Sequence, residues 1–147
     1  MKLIYIAGPY REWQDGMGEV STIAHNIMDA REVAANLVRR LQDKGIFPVT
    51  PHLNTAHFER LSGLDSVPDE YWLKGTAELL RRCDGVLLTR PDAATISAGT
   101  RAELNIAEEM QKPIYRSVEE LEEFVLDRED GGHVLVPPFN KPRSGRW

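Results

Sequence analysis

The stretch LIYIA at residues 3–7, closed by a Gly-Pro pair, decides which fold this chain can adopt. It is a short apolar run with β-branched residues, and it ends abruptly at two residues that break regular structure. These features predict a buried strand. The run GVLLT at residues 85–89 has the same character. Weaker strands are predicted at residues 47–50 and 113–115.

Segments with helical periodicity separate these strands. The first helix is expected to begin with Asn26 as its N-cap and to be terminated by Gly45, because apolar residues recur between them at every third or fourth position. Three further helices are expected: one opening at Asp69 or Glu70, one over residues 100–111, and one after a capping box at residues 117–120. This alternation predicts an α/β fold, a three-layer sandwich whose parallel sheet has four or five strands.

Length and charge narrow the class of protein. The chain has 147 residues and a net charge of −5, so we expect one domain over residues 1–130 and a tail at residues 131–147 that is flexible or contacts a partner. A single cysteine, Cys83, excludes a disulfide framework and a cysteine-rich zinc site. The acidic balance argues against nucleic acid as a partner, and no apolar run is long enough to cross a membrane. A cytoplasmic protein is expected.

In parallel sheets, ligands bind beyond the carboxyl ends of the strands. The loops expected there contain Gly8 and Arg11 after the first strand, His52 after the second, and residues 90–100 after the third. Arg11 has a planar fork of donors that suits phosphate, although a solvated loop arginine is an equal alternative. Tyr5, within the first strand, is expected in the core.

Residues 97–103, SAGTRAE, form the start of the third predicted helix. Gly99 would let a ligand approach the backbone closely, and the free N–H groups and dipole of the helix N-terminus favour an anion there. The Ser97 hydroxyl is a further hydrogen-bond donor for that anion. Glu103 has two interpretations, because Thr100-x-x-Glu103 is also a capping box. The carboxylate is therefore either a structural cap or a group that acts in a pocket.

A metal site is not expected. His52 and His57 are five residues apart, whereas helical ligand pairs are separated by three or four, and no carboxylate partner is evident for them. The sequence implies no other cofactor.

The order and spacing of several short motifs resemble a known family. They are IYIAGPYR at residues 4–11, PHLNT at 51–55, LLRRCDGVLL at 79–88, Ser97 six residues before Glu103, and KPI at 112–114. Together they resemble the nucleoside 2-deoxyribosyltransferase-like superfamily over residues 3–115, and within it the DUF4406 group. The resemblance implies a flavodoxin-like fold and enzymes that cleave the N-glycosidic bond of nucleosides or nucleotides.

The resemblance also implies roles for individual residues. Glu103 matches the glutamate that attacks the anomeric carbon, as in a retaining glycosidase, and Tyr5 and Gly8 match site residues. Ser97 stands where relatives that handle monophosphates have serine and those that handle nucleosides have aspartate. With Arg11, this points to a nucleoside 5′-monophosphate.

Three positions depart from the family pattern. Thr76 stands where the hydrolases have an aspartate, and threonine cannot act as an acid at neutral pH. Pro9 replaces a serine, and the loop before Ser97 is three residues longer. Asp69, Glu70 and Asp92 are candidates to replace the missing acid.

Two functions from different classes follow. The first is an N-glycosidase, a hydrolase or a transferase, on a nucleoside monophosphate, with Glu103 and Tyr5 as catalytic residues. Its substrate would contact Gly8, Arg11, Ser97, Gly99, His52 and Thr76. The second is a nucleotide-binding or sequestering protein without catalysis. A phosphoribohydrolase of the cytokinin-activating type is a third alternative, on the GT-x-x-E sequence at residues 99–103. A homodimer or higher homo-oligomer is expected from the family.

Overall fold

The main sheet of the protein has four parallel strands. In the computed structural model, which describes residues 1–131, the order across the sheet is β4-β1-β5-β6, with β2 and β3 pairing as a separate antiparallel ribbon. The strands are β1 (Lys2–Ala7), β2 (Trp13–Gln14), β3 (Val20–Ser21), β4 (Ile46–Val49), β5 (Gly85–Leu88) and β6 (Ile114–Tyr115). The strands predicted at residues 3–7, 47–50, 85–89 and 113–115 correspond to β1, β4, β5 and β6, which are neighbours in the parallel sheet. This confirms the fold class. The predicted tail at residues 131–147 falls almost wholly outside the described residues.

Helices cover both faces of this sheet. They are α1 (Ile23–Leu41), α2 (Pro51–Asn54), α3 (Asp69–Arg81), α4 (Ala93–Ile96), α5 (Ala98–Glu109) and α6 (Val118–Gly131). One apolar core packs α1 and α6 against the sheet, and the other packs α3, α4 and α5 against the opposite face. The result is a flavodoxin-like three-layer sandwich.

Alternation along β1 divides its side chains between the two cores. Ile4 and Ile6 belong to the core beneath α1, whereas Tyr5 and Ala7 belong to the core beneath α3 and α5. Successive side chains of a strand point to opposite faces, so this division follows from the two-residue repeat. It places the Tyr5 ring on the face where α5 begins.

The chain changes direction across the sheet between β1 and β5. From β1 it passes to β4 on one side, whereas from β5 it passes to β6 on the other. Such a switch point leaves a crevice beyond the carboxyl ends of the two central strands, and ligands of doubly wound folds bind there.

In the described part of the chain, no helix is long and apolar enough to span a membrane.

Two helix starts differ from the sequence predictions. Helix α1 begins at Ile23 with Thr22 as its N-cap, whose side chain accepts a bond from the His25 backbone N–H, so the prediction of Asn26 as the cap was wrong. Helix α5 begins at Ala98 with Ser97 as its N-cap rather than at Thr100. In both cases the true N-cap is a hydroxyl residue, also favoured at this position, that lies three or four residues before the predicted one. The prediction that α3 opens at Asp69 or Glu70 is confirmed, since the helix begins at Asp69.

Asn26 instead pins the long segment between β1 and α1. Its Nδ2 donates to the carbonyls of Tyr10, at 3.1 Å, and Arg11, at 2.8 Å. Its Oδ1 accepts from Trp13 Nε1 at 3.1 Å and from Ser21 Oγ at 2.8 Å. One buried amide thus orders the β2–β3 ribbon and the loop that follows β1.

Replacing Asn26 by alanine should lower the free energy of unfolding by about 1–3 kcal/mol, because several partly buried polar groups would lose their partner. Chemical denaturation measures this change. Asn105→Ala is the matched control: Asn105 is exposed on α5, and both substitutions bring the same gain in helix propensity. Equal stability of the two variants would contradict the pinning role of Asn26.

Candidate functional site

A cavity of about 300 Å³ lies at the carboxyl end of β1, between α3 and the start of α5. This volume is at the lower end of the range typical of small-molecule sites. Its walls contain all eight site residues predicted from the sequence, together with others that the sequence did not indicate. The lining residues are Tyr5, Gly8, Tyr10, Arg11, Pro51, His52, Thr55, Phe58, Glu59, Asp69, Trp72, Leu73, Thr76, Ser97, Gly99, Thr100 and Glu103.

Glu103 and Tyr5 meet within this cavity. The Tyr5 hydroxyl donates a hydrogen bond to Glu103 Oε2, joining the central strand to α5. Tyr5 is fully buried, and Glu103 is partly exposed, lining the cavity. The expectation that Tyr5 lies in the core is therefore met, while its hydroxyl also orients the carboxylate.

The Thr100-x-x-Glu103 capping box does not form. Ser97 Oγ accepts from the Thr100 backbone N–H at 3.2 Å and is the cap, and the Glu103 side chain bonds to Tyr5 instead. Because α5 begins before Thr100, Glu103 lies in the second turn, too far along the helix to reach back to its start. Of its two interpretations, the structural cap was wrong.

Burial raises the pKa of Glu103 to about 7, and the Tyr5 hydrogen bond opposes this rise by favouring the ionised form. The pKa of Tyr5 is raised well above its ordinary value by burial and by the adjacent Glu103, so Tyr5 keeps its proton and acts as the donor. Because the Glu103 pKa exceeds that of an unfolded glutamate, about 4.5, proton binding favours the folded state. This contribution is complete below about pH 4.5 and is lost as the pH rises through about 7.

Thr76 lies beside this pair. Its hydroxyl donates to the Leu73 carbonyl at 3.2 Å and lies close enough to the Tyr5 hydroxyl to lower the pKa of the phenol. Thr76 therefore lines the cavity on the same side as Tyr5 and Glu103. At this position the side chain supplies a neutral hydroxyl rather than an acid.

The N-terminus of α5 forms one wall. Ser97 Oγ uses a lone pair for the cap, so its hydroxyl hydrogen is left for another acceptor. At Gly99 a Cβ would lie 3.7 Å from Ser97 Oγ and 3.9 Å from Leu73 Cδ2, an ordinary contact. The protein would therefore tolerate a side chain at position 99, and the effect of glycine there is to leave room in the cavity.

Gly8 and His52 shape the loop after β1. A Cβ on Gly8 would lie 2.7 Å from Thr89 Cγ2, so glycine is required here by the close approach of the β1 and β5 ends. His52 is buried on α2, and its Nε2–H donates to the Pro9 carbonyl at 2.9 Å. Burial lowers the pKa of His52, so the imidazole is a neutral support for this loop.

Arg11 lies at the entrance of the cavity. Its guanidinium pairs with Asp69, the first residue of α3, at 2.5 Å, and both side chains are well exposed. An anion that uses Arg11 must therefore compete with the Asp69 carboxylate. Asp69 lines the cavity, whereas Glu70 and Asp92 line separate surface depressions, paired with Lys74 and Arg90.

Glu59 is a cavity carboxylate that the sequence did not reveal. It lies in a short 3₁₀ turn, Phe58–Arg60, within a segment without periodicity, and its Oε2 accepts from the Tyr10 hydroxyl at 2.8 Å. Only the fold brings this turn beside the loop after β1. Among residues 1–131, no group of three or more His, Cys, Asp or Glu is placed to hold a metal ion.

The family model for DUF7768, a domain of unknown function, matches residues 2–117. This range runs from β1 to beyond β6 and contains every residue of the cavity wall. No curated protein matches the chain. The resemblance to the nucleoside 2-deoxyribosyltransferase-like superfamily and its DUF4406 group stays a prediction.

Tyr5→Phe should raise the pKa of Glu103 above about 7, because it removes the donor that favours the ionised carboxylate. The pH dependence of the Glu103 carboxyl ¹³C resonance measures this. Tyr115→Phe is the matched control, since Tyr115 is buried in the core on the other face of the sheet and should leave the Glu103 pKa unchanged. An unchanged or lowered Glu103 pKa in Tyr5→Phe would contradict the assigned hydrogen bond.

Proposed function

The chain belongs to the DUF7768 family, and we propose that its cavity binds a nucleoside 5′-monophosphate and cleaves the N-glycosidic bond through an ester on Glu103. We further propose kinship with the nucleoside 2-deoxyribosyltransferase-like superfamily, on the motifs given above. The observation that carries the proposal is the contact between Tyr5 and Glu103 at the switch point of the sheet.

Attack on the anomeric carbon requires a carboxylate that is ionised near neutral pH and held in one orientation. A Glu103 pKa of about 7 leaves a large fraction ionised at neutral pH and keeps the oxygen basic. The Tyr5 hydroxyl holds Oε2, so the attack falls to Oε1.

In the first step, Glu103 Oε1 forms a bond to the anomeric carbon while the bond from that carbon to the base nitrogen breaks. The electron pair leaves with the base nitrogen, which takes up a proton from solvent. In the second step, water attacks the anomeric carbon and gives up a proton to solvent while the ester bond to Glu103 breaks, which releases the sugar phosphate and restores the carboxylate; with a second base as nucleophile, the same step is a transfer.

The opposite end of the ligand would meet the start of α5 and the entrance. The Ser97 hydroxyl, the backbone N–H groups of the first turn of α5 and the Arg11 guanidinium are donors suited to a phosphate. The phosphate would replace Asp69 as the partner of Arg11. The neutral Ser97 side chain supports a phosphate ligand over one with a free 5′-hydroxyl, because a carboxylate at position 97 would repel the phosphate.

Thr76 supports a second candidate, a nucleotide-binding protein without catalysis. A neutral hydroxyl stands where the related hydrolases have an acid, so protonation of the leaving base has no donor at that position. Asp69 and Glu59 are the other carboxylates of the cavity.

The proposal also includes a cytoplasmic homo-oligomer. Apolar side chains near the entrance support association, since Leu73 and Phe58 line the cavity yet are 50% and 36% exposed, and Tyr71 beside Trp72 is 63% exposed.

Glu103→Gln should fold normally, bind nucleoside monophosphates and lose base release by several orders of magnitude, because an amide cannot form the ester. Chromatography of reactions with a panel of ribo- and deoxyribonucleoside monophosphates detects the free base. Glu108→Gln, at an exposed position of α5, is the matched control.

Base release that persists in Glu103→Gln would overturn the mechanism. A wild-type protein that binds nucleotides and releases no base would establish the second candidate.

Ser97→Gly should weaken a nucleoside monophosphate about ten- to hundredfold and leave the matching nucleoside unaffected, because only the phosphate loses a donor. Glycine is preferred to alanine here, since it costs an N-cap only a few tenths of a kcal/mol whereas alanine costs about 0.5–2 kcal/mol. Isothermal titration calorimetry measures both affinities. Equal weakening of nucleoside and nucleotide would show that Ser97 does not contact the phosphate.

A further inference from the structure

Glu59 is held in the cavity wall by a chain of hydrogen bonds. The His57 backbone N–H donates to the Tyr10 hydroxyl at 3.0 Å, and that hydroxyl donates to Glu59 Oε2 at 2.8 Å. The Glu59 side chain is only 27% exposed. One carboxylate oxygen is thus satisfied and fixed in place.

The other oxygen, Oε1, is buried and has no hydrogen-bond partner among residues 1–131. His57 Nδ1, another buried atom without a hydrogen-bond partner among these residues, lies 3.8 Å from it, beyond hydrogen-bond distance. A shielded carboxylate oxygen without a donor is costly, so this atom would gain most from a donor carried by a ligand. A carboxylate can only accept, so the ligand group must bear N–H or O–H.

The surroundings of Glu59 suit a flat ring. Phe58, the preceding residue, packs edge-on against Trp72 with ring centroids 6.3 Å apart, and Tyr10 lies against His52 at 5.9 Å. All four side chains line the cavity. Planar apolar walls beside one acceptor match the face and the donor edge of a nitrogenous base.

We infer that Glu59 is a specificity-determining residue that accepts a hydrogen bond from the exocyclic amino group of the bound base. The inference rests on the proposed function, because it takes the ligand to be a nucleotide. It predicts that the cavity favours bases with an amino group over those with a carbonyl at the same position. A carbonyl oxygen there would face the Glu59 carboxylate, repel it and leave Oε1 unpaired.

Two pairs of ligands test this group: cytidine against uridine monophosphate, and adenosine against inosine monophosphate. In each pair the amino group is exchanged for a carbonyl, and the adjacent ring nitrogen changes from an acceptor to an N–H donor. Calorimetric titration of the wild-type protein should give about ten- to hundredfold tighter binding of the amino member of at least one pair, as for a lost bond to a charged group.

Glu59→Gln should abolish or reverse that preference. Tyr10 can still donate to the Gln oxygen, so the local fold is retained, and the amide NH2 then faces the base as a donor, which suits a carbonyl rather than an amino group. Glu70→Gln is the control and should keep the wild-type ratio, since Glu70 pairs with Lys74 and lies in a different depression.

Three results would overturn the inference: equal binding within both pairs, a preference that survives in Glu59→Gln, or no binding of any of the four nucleotides. Binding is measured without reference to turnover. A protein that selects amino bases through Glu59 and releases none would therefore refute the glycosidase step alone, whereas release without selection would refute the role of Glu59 alone.

Discussion

The hydrogen bond from Tyr5 to Glu103 is the interaction on which the candidate site depends. It exists because β1 is a central strand, so that the alternation of its side chains carries the Tyr5 ring beneath α5. It also depends on where α5 begins. With Ser97 as the cap, residues 97, 100 and 103 follow one face of the helix, and all three line the cavity.

The same contact explains why a partly buried acid is tolerated. An isolated carboxylate in this position would be neutralised by a larger rise in pKa, and the Tyr5 donor limits that rise to about 7. Thr76 adds a hydroxyl beside the phenol. Tyr5, Thr76 and Glu103 therefore form a short polar network at the base of the cavity, surrounded by the apolar core. Groups with shifted pKa values are commonly arranged in this way at functional sites.

The entrance has a different character. Arg11 and Asp69 form an exposed ion pair, which contributes little stability and is easily exchanged for another partner. Glu59, by contrast, is held by Tyr10 and partly shielded from water. Fixed acceptors select among ligands by leaving the wrong one unpaired, whereas exchangeable pairs at an entrance admit them.

Local patterns in the sequence determined the sheet and the identity of most site residues. The apolar runs at residues 3–7 and 85–89 and the periodic segments between them are sufficient for a parallel α/β fold, because strand and helix periods are local properties. The carboxyl-end rule then placed Gly8, Arg11, His52 and the start of α5 at one edge.

Only the tertiary structure decided what these residues do to one another. Thr22 and Asn26 are both good caps, as are Ser97 and Thr100, so the starts of α1 and α5 depended on whether Asn26 and Glu103 found partners elsewhere in the fold. Asn26 bonds to the loop after β1, and Glu103 bonds to a tyrosine 98 residues away in sequence. Glu59 lies in a turn without periodicity, and no local signal could place its carboxylate in the cavity. Contacts between residues distant in sequence are set by packing, and packing has no local period to reveal it.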